Sequence, residues 1–222
     1  MSPQSSAILV PWDPENTAQR QALINQREEC GWYKEKVESE WRDKQNKGIK
    51  SIFWILTNNS QFLQTELLMD TAKQVNTAER RPSQEYFLPV GHISLDAQNP
   101  EGEYLDLDLP SSGIFWIKTF YVRKSFQGYG VGRAAMDQVE KMAVREPLNA
   151  TVLALDTMQR DDQFREDLMI NLQGVPKVTN EDWYSRRGYR LINTVQGFYR
   201  GIFDTSGKEA ETKTVFMRKD LV

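Results

Sequence analysis

The segment from Ile114 to Leu155 constrains this chain more than any other. Ile114–Val122, IFWIKTFYV, is apolar on both faces apart from Lys118 and Thr119, as expected of a strand covered on both sides. It runs through residues 123–126 into Gln127-Gly128-Tyr129-Gly130-Val131-Gly132, after which Val131, Ala134, Ala135, Val139, Met142 and Ala143 trace one face of a helix. Val152–Leu155 supplies the next short apolar strand. Strand, glycine loop, helix and strand in this order predict a βαβ unit with a parallel pair, whose crossover is almost always right-handed. Glycines remove Cβ atoms where backbone N–H groups must approach an anion, here at the positive end of a helix dipole. Such a loop can cradle a diphosphate, although glycine-rich strand-to-helix turns also serve tight packing alone.

Around this unit the pattern alternates helix and strand. Asp13-Pro14-Glu15 offers an N-cap, a proline for the first helical position and an acid for the first turn, which predicts a helix over 14–29. Tyr33, Val37 and Trp41 recur at a spacing of four and predict an amphipathic helix ending near Gly48. Ser51–Thr57 then reads as the first strong strand, preceded by two helices. Residues 58–85 read as an insertion with a weak helix over Phe62–Val75. Phe87–Leu95 is a strand with Val90, His92 and Ser94 on one face. After an acidic connection at 99–113 and the βαβ unit, residues 158–179 form a second insertion. A short helix at Asn180–Arg187 is stopped by Gly188, and strands at Tyr189–Phe203 and Thr212–Arg218 hairpin through Asp204-Thr205-Ser206-Gly207. The whole reads as α/β with a mixed sheet. At 222 residues one domain over 1–222 is the expectation, able to bury roughly 70% of its unfolded surface.

Composition removes several classes of function. Lys and Arg total 28 against 31 Asp and Glu, so no global positive field draws in a phosphate backbone, and nucleic acid is not expected as a partner. The apolar runs fall far short of the approximately 18 residues of a membrane helix, and no secretory leader pattern opens the chain. A single cysteine, Cys30, and a single histidine, His92, build no disulfide and no Cys- or His-rich metal site, so no metal is expected. These features read as an intracellular protein, cytoplasmic with the nucleus left open. A dinucleotide-binding reading of Gly128-x-Gly130 with Asp156 as the ribose acid fits poorly. The third glycine comes one residue early, and the motif lies past mid-chain instead of opening a βαβαβ half.

The combination of VRKSFQGYGVG on a strand-to-helix turn with WYSRRGYR before the final hairpin resembles the GCN5-related N-acetyltransferase (GNAT) family. Gln127, Gly130 and Gly132 match its glycine-loop pattern, and Trp183, Tyr184, Gly188 and Tyr189 match its later aromatic segment. The resemblance implies a mixed, mainly antiparallel sheet with a splayed parallel central strand pair, flanked by helices. It implies acetyl-CoA or another acyl-CoA as co-substrate, lying in the opening between strands 114–122 and 151–157. The pantetheine amides would pair with backbone around Phe120, Tyr121 and Val122. The diphosphate would take N–H groups from Gln127, Gly128, Tyr129, Gly130, Val131 and Gly132, with Arg123, Lys124 or Arg133 near the nucleotide phosphates. Lys124 stands where the family commonly has proline.

By the same resemblance the reaction is direct attack of a primary amine on the thioester in a ternary complex, with Tyr184 donating a proton or hydrogen bond to the leaving sulfur. Strand 114–122 contains no acid, so the glutamate base of some relatives has no counterpart there. His92, Asp156 and Asp96 are the remaining proton acceptors, His92 being named as the catalytic candidate. The acceptor is a small-molecule or protein amine; Glu101, Glu103, Asp106 and Asp108 are candidates to attract it. The resemblance allows a homodimer that no residue pattern specifies. The alternative is a CoA-binding interaction module of the same fold with weak or no catalysis.

Overall fold

A computed structural model describes residues 6–57, 66–168 and 176–221. The chain forms two compact units, Met1–Pro100 with Phe115–Ala150, and Glu101–Ile114 with Thr151–Val222.

The first unit is built on an antiparallel ladder of β1 (Ala7–Pro11), β2 (Lys50–Thr57), β7 (Gly91–Asp96) and β8 (Ile114–Val122). Its registers run Ala7 opposite Thr57, Ile55 opposite Gly91 and Gly91 opposite Val122. Every residue of β2 from Lys50 to Ile55 is buried, so this central strand is covered on both faces. One core cluster gathers Trp12, Leu23, Val37, Trp41, Ile52, Trp54, Leu68 and Phe87. Leu23 comes from α1 (Thr17–Cys30); Val37 and Trp41 come from a wide turn that continues into α2 (Arg42–Asn46). The helix α3 (Val131–Ala143) lies against β1 and buries Val131, Ala134, Ala135, Met136, Val139 and Ala143. Met136 is fully buried, and Met142, expected on that face, is only half-buried.

The structure differs from several local expectations, among them the strand expected over Phe87–Leu95: it starts only at Gly91, and Phe87 pairs with Leu68 in a separate short ladder. A strand, β1, precedes the two helical segments, so Ser51–Thr57 is not the first strand. Helix α1 starts at Thr17 instead of 14, because Asp13 accepts the Glu15 N–H (2.9 Å) and the Thr71 hydroxyl (2.6 Å), while Asn16 Oδ1 takes the Gln19 N–H (3.1 Å) and acts as the cap. The described part of the weak helix expected over 62–75 is extended: β3 (Leu68–Met69) pairs with β6 (Tyr86–Phe87), and β4 (Gln74–Val75) with β5 (Ala78–Glu79); residues 62–65 lie outside the described residues. Asp70 organises this segment. Burial pushes its carboxyl up, but two Arg80 N–H groups (2.7 and 2.8 Å) and the N–H and hydroxyl of Ser83 outweigh that and hold it at about 2.

The second unit is an antiparallel ladder of β9 (Val152–Met158), β11 (Lys213–Asp220) and β10 (Arg190–Gln196), with β11 between the other two. Two short helices accompany it, α4 (Arg160–Gln163) and α5 (Asn180–Ser185). Thr179 caps α5 by accepting the Asp182 N–H at 3.1 Å. The predicted turn at 204–207 is present, with Asp204 accepting from Ser206 and Lys208.

Candidate functional site

The glycine loop begins where β8 ends. A single turn at Lys124–Phe126 leads to Gln127, whose side-chain amide donates to the Val122 carbonyl at 2.7 Å and ties the loop back to the strand. Gly128 and Gly130 have φ of 82° and 80°, a region costly to any residue with a Cβ. Gly130 occupies the N-cap of α3, where it has no side chain to satisfy the first-turn donors. The first bond of the helix is Ala134 N–H to Gly130 C=O, 3.0 Å. Residues 127–130 form a turn, and among the described residues the amides of 128–133 make no close backbone hydrogen bond. Gly132 is different from its neighbours: its φ is ordinary, and a Cβ there would meet only Phe120 Cζ at 3.5 Å and Val122 Cγ2 at 3.9 Å. Nothing in the protein's own packing demands a glycine at 132. Free N–H groups at a helix start are the kind of backbone donor that suits an anion.

Phe120, Tyr121 and Val122 form the end of β8. Just before them the register with β7 shifts: His92 faces Tyr121 while Ser94 faces Lys118, so Ile93 stands opposite both Thr119 and Phe120. This is a β-bulge, and it withdraws one residue of β8 from the ladder. Thr119 takes φ of 48° at this point. No sequence signal announces it, since a threonine in an apolar strand reads as ordinary β structure. Gly91, opposite Val122, lets the strands approach: a Cβ there would lie 2.3 Å from the Tyr121 carbonyl oxygen.

Of the basic residues near the loop, Arg123 is engaged by Glu29 (3.3 Å) and Glu66 (3.0 Å). Lys124 and Arg133 are exposed.

The catalytic candidates have distinct surroundings. Tyr184, on α5, packs its ring against Trp183 (5.0 Å) and Tyr189 (5.7 Å). Desolvation raises its phenol pKa, and the Asp156 charge adds to the rise, so the hydroxyl keeps its proton across the neutral range. Asp156, on β9, is half-buried and accepts a hydrogen bond from the Tyr199 hydroxyl. Tyr199 lies in the irregular chain after β10, within the span Tyr189–Phe203 expected as a strand, which ends at Gln196.

His92 is fully buried on β7. Its Nδ1 pairs with Gln26 Oε1 at 2.8 Å and its Nε2 faces the Arg27 guanidinium at 3.4 Å. Gln26 in turn donates to the Pro89 carbonyl at 2.9 Å. Burial, then the charges of Arg27 and Lys50, hold its pKa well below the usual value and keep the ring neutral. Asp96 is paired with buried Lys50 at 2.9 Å. Asp108 is taken by Arg190 (2.7 Å) and Arg218 (3.4 Å). Cys30 ends α1, and burial raises its thiol pKa, away from a nucleophile's thiolate. Among the described residues no group of His, Cys, Asp and Glu could hold a metal, and no helix is long and apolar enough to cross a membrane.

A strand that ends in a glycine turn without a side-chain cap and runs on into an amphipathic helix is the local arrangement that the glycine pattern predicted. The acetyltransferase (GNAT) family profile matches residues 38–165, more than half of the chain, and the chain belongs to that family. Solved structures share its fold. Arabidopsis thaliana NAA60 in complex with acetyl-CoA is 14% identical with a TM-score of 0.55, covering 97% of this chain and 98% of that one. An aminoglycoside 6'-N-acetyltransferase complexed with coenzyme A is 12% identical with a TM-score of 0.53, covering 97% of both. The aminoglycoside 6'-N-acetyltransferase from Enterococcus faecium is 12% identical with a TM-score of 0.52, again covering 97% of both. No curated protein is significantly similar to the chain.

Proposed function

We propose that this chain is an acetyl-CoA-dependent N-acetyltransferase that passes an acetyl group to a primary amine by direct attack in a ternary complex. The observation that carries the reading is the glycine turn running into the start of α3, where the amides of 128–133 make no close backbone hydrogen bond and no side chain caps the helix. These would take the coenzyme A pyrophosphate, with Phe120–Val122 lending backbone to the pantetheine arm and exposed Arg133 meeting the nucleotide phosphates. Membership of the GNAT family and the coenzyme A and acetyl-CoA bound to two of the structural neighbours support the same ligand.

The chemistry needs a neutral amine. At a pKa of about 10.4 it is neutral about once in 2,500 molecules at pH 7, a cost of about 4.6 kcal/mol. Of the three candidate proton acceptors, His92 is sealed between Gln26 and Arg27, and Asp96 is bound to Lys50. We assign the role to half-buried Asp156, steadied by Tyr199, and give His92 a part in packing and hydrogen bonding. The carbonyl carbon bonds to the amine nitrogen, the C–S bond breaks, and the thiolate leaves. Tyr184, protonated and desolvated, donates a hydrogen bond or its proton to that sulfur. Because a phenol near 10 is a weaker acid than a thiol near 8.5, this help is modest, and holding amine and thioester in attack geometry supplies much of the rate.

The acceptor is a small-molecule or protein amine. The neighbours that act on aminoglycosides favour the former. Free-thiol release from acetyl-CoA with a panel of primary amines tests the assignment: amine-dependent release is expected. Tight coenzyme A binding with no transfer to any amine would instead favour a non-catalytic module.

A further inference from the structure

Beneath the β8 bulge runs a buried polar chain that the reaction chemistry leaves unused. Lys50, on β2, is 3% exposed, and its ammonium donates to Asp96 Oδ2 (2.9 Å), Asp96 Oδ1 (3.2 Å) and Ser94 Oγ (3.0 Å). It also lies over the Trp41 ring at 4.7 Å. Ser94 has no exposed surface; its hydroxyl lies 2.7 Å from Asp96 Oδ1 and 3.2 Å from the Lys118 carbonyl, and it accepts from the Thr119 hydroxyl at 2.9 Å.

One hydroxyl has one proton and two lone pairs. With Lys50 and Thr119 both donating to it, Ser94 gives its proton to the closer acceptor, Asp96, and every position on the oxygen is filled. The direction of each bond in the chain is thereby fixed, and its outer end is Thr119.

Thr119 is the residue with φ of 48° in the bulge. A β-branched side chain disfavours that conformation, which persists only when its surroundings over-determine it. Burying an ion pair seldom adds stability over apolar side chains of similar size. The chain's yield is therefore shape, namely one peptide of β8 turned out of the β7 ladder immediately before Phe120, Tyr121 and Val122.

We propose that Lys50, Asp96 and Ser94 form an internal strut that holds the β8 bulge, through the Thr119 hydroxyl, in the shape the pantetheine arm of coenzyme A requires, making Ser94 and Thr119 positioning residues for the co-substrate. This rests on the coenzyme A reading above. The test is calorimetric titration of coenzyme A into the wild-type protein and into Thr119→Val, Thr119→Ser and Ser94→Ala, each checked by its thermal unfolding midpoint. Thr119→Val keeps the shape and loses the hydroxyl; it is expected to weaken binding about five- to tenfold, the worth of one hydrogen bond. Thr119→Ser restores the hydroxyl and is expected to bind within about twofold of wild type, and Ser94→Ala, if folded, to match Thr119→Val. In turnover, the loss is expected in KM for acetyl-CoA with KM for the amine unchanged. Wild-type affinity in Thr119→Val, or equal losses in Thr119→Val and Thr119→Ser, would overturn the strut. Failure of the wild-type protein itself to bind coenzyme A would instead overturn the reading it rests on.

Discussion

At the scale of single residues, the same side-chain types take different parts according to what surrounds them. Tyr184 is desolvated between two aromatic rings, whereas Tyr199 spends its hydroxyl on Asp156. Tyr184→Phe is expected to lower kcat about tenfold while leaving coenzyme A affinity unchanged, a size typical of modest acid assistance; unchanged turnover in a folded, CoA-binding variant would remove the acid role. His92 gives a stability prediction. Its folded pKa lies below the unfolded value of about 6.5, so the unfolded chain binds the extra proton and stability falls as pH drops below that value, by up to about 1.4 kcal/mol per pH unit. Urea unfolding at pH 7.5 and 5.5 should show a shallower pH dependence in His92→Gln than in wild type; equal slopes would mean that the buried ring is not held neutral. The sequence placed His92 on the correct strand, but not its partners Gln26 and Arg27, which reach it from a helix more than sixty positions away in sequence.

At the scale of elements, β8, the glycine loop and α3 were legible because three independent signals coincide there: an apolar run, glycines and a 3.6-residue stripe. Their bounds agree with the structure at Ile114–Val122 and Val131–Ala143. β1 was not legible, since AILVP is short and ends in proline, and its partner strand lies far along the chain. The start of α1 was misread because Asp13 and Pro14 have the composition of a cap, yet the Asp13 carboxylate is committed to Thr71. No local pattern reveals a tertiary hydrogen bond.

The glycine loop supplies the sharpest test at this scale. Gly132→Ala meets only ordinary van der Waals contact and replaces a helix glycine, so its unfolding midpoint should match or exceed that of wild type. Its coenzyme A affinity should fall about tenfold, as the added methyl crowds the face of the loop bordered by Phe120 and Val122. Gly91→Ala should do the reverse in kind: the 2.3 Å clash with the Tyr121 carbonyl forces β7 and β8 apart and is expected to cost about 2–4 kcal/mol of stability in chemical denaturation.

At the scale of the whole molecule, the chain carries the GNAT fold at 11–14% identity to structures that cover nearly all of it. What persists across such distance is the order of elements, which is why the family was readable while the acceptor amine was not. Backbone N–H groups recognise a pyrophosphate whatever the side chains are; an amine is recognised by side chains brought together only on folding. The charged connection at 99–113 illustrates the difference, since Asp108 proved to be held by Arg190 and Arg218. The most direct check of the account is isothermal titration of the folded wild-type protein with coenzyme A. A saturable heat at one site per chain, with Kd on the order of 10 μM, is predicted; no heat up to millimolar coenzyme A would contradict it.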